Sequence, residues 1–181
     1  ALPYAPGQAQ QLLAQAGYPG GQGLPLIELW GGESSSVWAP VSEYLAQQWQ
    51  EVLGVRSQVR SVEAGQVIRF AGVGGPHILF VGWRADFPDP DNFLRLAPIG
   101  LQTGWRHAAY DDLVARARTE RDAVERLRLY RQAETILATE APVLPLTYHR
   151  WSALVKPAVT HFPISPMRRW FLKDVVVAQG G

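Results

Sequence analysis

The sequence predicts an α/β layer fold, and three observations carry that prediction. Segments whose apolar residues fall at helical spacing alternate with short apolar or alternating runs, the pattern of strands connected through helices. One of those runs, Ile78 to Val81, is continuously apolar and reads as a buried strand. Hydrophobic residues make up 47% of the 181 and charged residues 18%, enough to bury one good core, with or without an appendage.

Residues 6 to 16 form the first helix, with Pro6 at its start and Gly17 just past its end. The loop Tyr18-Pro-Gly-Gly-Gln-Gly23 has the glycines of a phosphate cradle, but such cradles follow a strand and open a helix. This loop does the reverse and is read as a turn. Leu26 to Trp30 is a strand. Ser34 to Ser36 offer N-caps for a long helix reaching Leu53, with Pro40 near its first turn and an apolar stripe of Trp38, Val41, Leu45, Trp49 and Val52. Gly54 ends it, and Val55 to Val62 alternates as a weaker strand. Gln66 to Ala71 is expected to turn helically before the glycines at 72, 74 and 75 and Pro76. Past the Ile78 strand and an acidic loop, Asn92 to Leu96 is a helical turn, and a helix follows from Tyr110. Asp122 and Glu125 are spaced as a capping box that opens the longest helix, to about Thr139, with Leu127, Tyr130, Ala133, Ile136 and Leu137 inward. Strands are expected at Ala141 to His149, Ala153 to Val155 and Asp174 to Ala178.

Composition removes several classes of function. A net charge of +1 provides no electrostatic footprint for nucleic acid or an anionic membrane. The absence of cysteine rules out disulfides and thiolate metal sites. No apolar run approaches the ~20 residues of a membrane span, and no charged-then-apolar signal segment opens the chain. Its first residues, Ala1 to Gly7, read as a connector within something longer. The seven tryptophans are a high count, and aromatic side chains serve both cores and ligand-lining surfaces.

The sharpest polar feature is the loop holding Asp86, Asp89 and Asp91 between Pro88 and Pro90, just past the Ile78 strand. Open α/β sheets place ligand contacts at that end of their strands. An EF-hand does not fit, because position six of a loop counted from Asp86 is Asp91 rather than Gly and position twelve is Ala97 rather than Glu. Paired carboxylates could serve glycosidic acid–base work, though nothing else in the chain supports it. A carboxylate in a dry cleft also suits a ligand amine, since a buried charge needs a partner. For Asp89 and Asp91 the structural role is favoured, capping turns and the helix at Asn92. For Asp86 the residue chemistry leaves both roles open.

His77, His107, His149 and His161 are scattered without ligand spacing and are read as structural. Ser34 to Ser36 are explained by helix capping, and Arg168-Arg169-Trp170 is too short a basic patch to argue for nucleic acid. Trp83 and Trp105, in polar loops, are better ligand candidates than Trp38 and Trp49, which are read as core. No catalytic constellation or cofactor motif emerges.

Several motifs in order resemble one family. Tyr4-Ala-Pro-Gly-Gln-Ala-Gln-Gln-Leu-Leu-Ala-Gln-Ala-Gly-Tyr-Pro19 is similar to the "Y-x-P-x-x-A-x-x-L-L-x-x-A-G-Y-P" segment of extracellular solute-binding proteins of the oligopeptide/dipeptide ABC-importer family, family 5. Trp49-Gln-Glu-Val-Leu-Gly-Val-Arg56 resembles its "W-x-x-x-L-G-V" passage, and Gly82-Trp-Arg-Ala-Asp-Phe-Pro-Asp-Pro-Asp-Asn-Phe-Leu94 its "G-W-x-x-D-Y-x-D-P-x-x-F-L" signature. Leu129 to Tyr148 is similar to "L-Y-x-x-A-E-x-I-L-x-x-x-A-P-x-x-P-L-x-Y", and Leu154-Val-Lys-Pro157 and Leu172-Lys-Asp174 to its closing elements.

The resemblance implies one lobe of a two-lobe, type II periplasmic-binding-protein-like fold, with a central mixed sheet flanked by helices. It implies that residues 1–157 are the C-terminal ligand-binding lobe and that 158–181 form a closing segment returning to a missing N-terminal lobe. It further implies capture of peptides for the membrane permease subunits of an ABC importer, in the periplasm or at the cell surface, with or without a lipoprotein anchor, with no cofactor and no reaction catalysed. In peptide-binding members the Asp of "W-x-x-D" pairs with the peptide α-ammonium. That position is Asp86, with Trp83 beside it, and Tyr148 lies in the family's tyrosine-rich strand near the hinge. The chain departs from the pattern at Trp105-Arg-His-Ala-Ala-Tyr-Asp111, where the family often has "Y-S-N-P-E-Y-D", and its tyrosine strand is reduced to Thr147-Tyr148-His149. Related receptors take nickel complexes or sugars, so these remain alternative cargoes; a hydrolase using Asp86 and Asp89 is the rival outside the family.

Overall fold

The computed structural model describes residues 3–32, 38–63, 75–97, 99, 103–148, 152–165 and 170–178, and helices and strands alternate through its first half as expected. Helix α1 (Pro6–Gln15) begins on its proline. It ends at Gly17, whose φ of +92° lets its own N–H reach the Ala14 carbonyl while the Tyr18 N–H reaches that of Leu13. Strand β1 (Ile27–Gly32) runs two residues past the expected end, and helix α2 (Trp38–Leu53) and strand β2 (Ser57–Val62) follow. Strand β3 (Ile78–Leu79) is shorter than the apolar run that predicts it.

The sheet order is β2-β1-β3, with β1 facing Ser57–Val62 residue for residue on one side and Ile78 and Leu79 on the other. All three strands of this sheet are parallel, so among the described residues it is a parallel sheet rather than the expected mixed one. Strand β1 is therefore central, and its Leu29 is wholly buried. Helix α2 lies against β1 and β2 through its predicted stripe, with Trp38 6.1 Å from the Phe80 ring. Parallel neighbours need a crossover of this kind, so the helix covering the sheet is a consequence of strand direction. The Ser34–Ser36 caps and the turn expected at 66–71 lie outside the described residues. These elements belong to one unit, Ala1–Gly82 with Pro98–His107.

The second unit comprises Trp83–Ala97 and Ala108–Gly181. Its core is the helical hairpin of α3 (Ala108–Thr119) and α4 (Ala123–Glu140), which bury Tyr110, Val114 and Ala117 on one helix and Leu129, Tyr130 and Ala133 on the other. Leu127, expected inward, is 46% exposed while Leu129 is 2%. Residue 127 sits well round the helix from the stripe through 129, 130 and 133, which α3 covers. The capping box forms only in part: Asp122 accepts from the Glu125 N–H at 2.8 Å, but Glu120, not Glu125, accepts the Asp122 N–H, and Glu125 pairs with Arg128.

No strand forms over the described residues 141–148 or 152–156, where two were expected. Ala141 takes a left-handed turn at φ +49°, and Pro142 and Pro145 each remove a ladder donor. The last expected strand forms as β5 (Val176–Val177), antiparallel to β4 (Val159–Thr160), which the sequence reading missed.

Candidate ligand site

The acidic loop lies in the second unit and is built by its arginines. Asp89 turns the chain: its Oδ1 accepts the Asp91 N–H at 2.9 Å, and its carbonyl accepts the Asn92 N–H at 3.1 Å. A π-helix over Asn92–Leu96 follows, closed by the Ala97 N–H on the Asn92 carbonyl. Asp91, expected to cap that turn, makes no side-chain cap. Its buried carboxylate instead receives the Arg95 Nε–H at 2.9 and 3.0 Å and an Nη2–H besides, one helical turn on.

Arg126 of α4 clips the loop to the hairpin. Its Nη2 lies 2.7 and 2.6 Å from the two Asp89 carboxylate oxygens, and its Nε–H donates to the Ala117 carbonyl at the end of α3. The guanidinium also sits 5.1 Å over the buried Tyr130 ring. Tyr110 of α3 adds a second clip by donating its hydroxyl to the Leu94 carbonyl; burial, with Asp111 and Glu134 adding, pushes that phenol up to about 12, so it remains a donor.

Burial alone raises the Asp89 carboxyl, but the Arg126 hydrogen bonds, the Asp91 N–H and the Arg126 charge outweigh it and hold it below the ordinary carboxylate range. A carboxyl with a depressed folded value contributes stability above its unfolded value, near 4, and loses it as pH falls through the folded one. Arg126→Met should therefore cost about 1–2 kcal/mol at neutral pH, between an exposed pair at ~0–1 and a buried one at ~3–5. Urea titrations of both proteins at about pH 7 and about pH 2 check this, the gap closing at the acid end. A gap that persisted there would put the stabilisation in the Tyr130 contact instead.

Of the expected site residues, the fold brings Trp83 and Asp86 onto one loop. Asp86 is exposed, and Asp89 and Asp91 each pair with an arginine. Trp83 is 42% exposed, and its indole N–H donates to Asn92 Oδ1 at 2.8 Å. Tyr148, downstream of α4 in the same unit, is 98% exposed. Trp105 belongs to the other unit, half-buried and stacked 5.8 Å from the His107 ring. His77 is structural, its Nδ1 accepting the Glu28 N–H of β1 at 3.1 Å. Arg126 and Asn92 were not singled out from sequence. Counting counter-charges would have pointed to Arg126, because a stiff loop with three carboxylates needs cations nearby.

Known proteins of similar sequence and fold identify the family. The fold is similar to that of part of the Escherichia coli murein tripeptide binding protein MppA, with a TM-score of 0.83 and 27% identity over 97% of this chain and 35% of that one. In sequence, the chain is 32% identical to the probable di/tripeptide-binding protein 5 of Pseudomonas aeruginosa (strain UCBPP-PA14) over 98% of its length, and 30% identical to the glutathione-binding protein GsiB of Escherichia coli (strain K12) over 95%. It spans about a third of the length of each, 34% and 35%. Residues 1–101 match the model of the bacterial extracellular solute-binding proteins, family 5 Middle. The chain belongs to that family.

Proposed function

We propose that this chain is part of the substrate-binding component of an ABC importer, capturing small peptides outside the cytoplasmic membrane and passing them to permease subunits. In this reading Asp86 receives the peptide α-ammonium, Trp83 and Tyr148 offer apolar surface to the ligand, and closure at a hinge completes the site without any reaction. The observation that carries it is the arginine-braced frame of the acidic loop. Asp89 and Asp91 are bound to Arg126 and Arg95, and those pairs fix the backbone on which exposed Asp86 stands. A carboxylate held in place before the ligand arrives loses little conformational freedom on binding.

The relatives support the same cargo. One is named for di/tripeptides and another for glutathione, and both ligand types carry a free α-ammonium beside amides. The family's name and the named relatives favour a location outside the cytoplasm, in the periplasm or at the cell surface. Residues 1–157 then form the ligand lobe, and 158–181 return to a lobe supplied by the remainder of the protein. Ile164, Phe171 and Val177 in that segment are exposed large apolar residues, in keeping with a partner surface. Native mass spectrometry of the full-length receptor tests the cargo. Co-purifying short peptides with free N-termini are the expected result, and a sugar or a nickel complex would overturn it.

A further inference from the structure

We propose that Asn92 is a positioning residue for Trp83, and that it holds the indole as a preset wall of the ligand site. The inference rests on the reading of the Trp83–Asp86 loop as that site. Asn92 is wholly buried, while Trp83, whose N–H it accepts at 2.8 Å, is 42% exposed. One edge of the ring is thus tied inward while much of its surface stays open. An indole N–H can only donate, so the amide atom facing it must be the oxygen. That leaves Asn92 Nδ2 pointing into the interior, buried and without a hydrogen-bond partner among the described residues.

A buried amide with one end unpaired is a poor choice for stability, because the unmet donor carries a desolvation cost. The asparagine makes sense through the one bond it does form. Its own backbone is fixed on both sides, by its N–H on the Asp89 carbonyl and by the Ala97 N–H on its carbonyl. Asp89 is in turn clipped to Arg126. The chain of contacts therefore runs from helix α4 through the loop to the exposed indole. Without it, Trp83 would sample several rotamers and give up that freedom when a ligand packed on it.

The test uses Asn92→Leu, Trp83→Phe and the double variant in the full-length receptor labelled with 5-fluorotryptophan. The fluorine resonance that vanishes in Trp83→Phe identifies Trp83. In Asn92→Leu without ligand, that resonance is expected to shift or broaden while the melting temperature holds. Dipeptide affinity should fall about three- to tenfold, the size of one side chain ordered on binding. In the Trp83→Phe background the same substitution should weaken binding no further. An unmoved Trp83 resonance, or an equal loss of affinity in both backgrounds, overturns the proposal. Should Asn92→Leu not fold, indole N–H exchange in the unsubstituted protein decides: slow exchange at Trp83 is expected, and exchange as fast as a free indole overturns it. The ligand-free measurements keep the two readings apart. If Asp86→Ala leaves peptide affinity unchanged, the site reading fails, whereas the Trp83 resonance still answers for Asn92.

Discussion

Asp86→Ala in the full-length receptor should weaken dipeptide binding by about 2–4 kcal/mol, roughly 30- to 1,000-fold in Kd. The size follows from what is left behind. A peptide α-ammonium enclosed in a closed cleft without its carboxylate is a desolvated charge with no partner, and much of the penalty is that orphaned charge. Asp89 and Asp91 cannot substitute, because each already accepts hydrogen bonds from an arginine and shapes the loop. Isothermal titration calorimetry reads the affinity, and a melting curve taken alongside separates a folding defect from a lost contact. An affinity within a factor of two of the unsubstituted receptor would remove Asp86 from the site.

Gly54→Ala should be strongly destabilising for a single added methyl, costing about 2–5 kcal/mol. Gly54 ends α2 at a φ of +69°, where an L side chain costs ~1–2 kcal/mol. A Cβ there would also overlap the Gly20 carbonyl, in the turn that follows α1, and Gly21 meets the Gly54 carbonyl in the same way. Forcing backbone apart at such a contact adds ~1–3 kcal/mol. The two glycine turns thus pack on each other, fixing α1 beside α2 together with the Gln10 Nε2 bond to the Val52 carbonyl at 2.8 Å. The expected loss of about 5–15 °C in melting temperature is easily measured. A midpoint within a degree or two would mean that the turns are not in contact in solution.

Much of the fold could be read from residues because the signals were local. Pro6 and Gly17 bracket α1, and the half-buried stripe of α2 faces the sheet, because helix ends and helix faces are set within a turn or two of chain. What failed depended on partners far away in sequence. The strand expected from Ala141 has apolar residues enough, but its prolines and the left-handed Ala141 leave it without a ladder. Strand β4 is two residues long and exists only through β5, sixteen or more positions later, so no periodicity could reveal it.

The site divided in the same way. The motif around Trp83 and Asp86 was legible as a string, and Asp91 to Arg95 has the i, i+4 spacing of a helical pair. The role of Asp89 was legible only in part. Its turn was foreseen, yet its carboxylate is held by Arg126, thirty-seven residues away on α4. Asn92 carried no sequence signal of its own; only the buried amide beside an exposed indole distinguishes it.

The central claim is that Asp86 recognises the peptide's α-ammonium, and a cycle in affinity tests it most directly. A free dipeptide and its N-acetylated form are titrated into the full-length receptor with Asp86 intact and with Asp86→Asn. Acetylation removes the positive charge, so it should weaken binding strongly when Asp86 is present and little when it is Asn, a coupling of about 2 kcal/mol or more. Equal losses on acetylation in both proteins would contradict the claim.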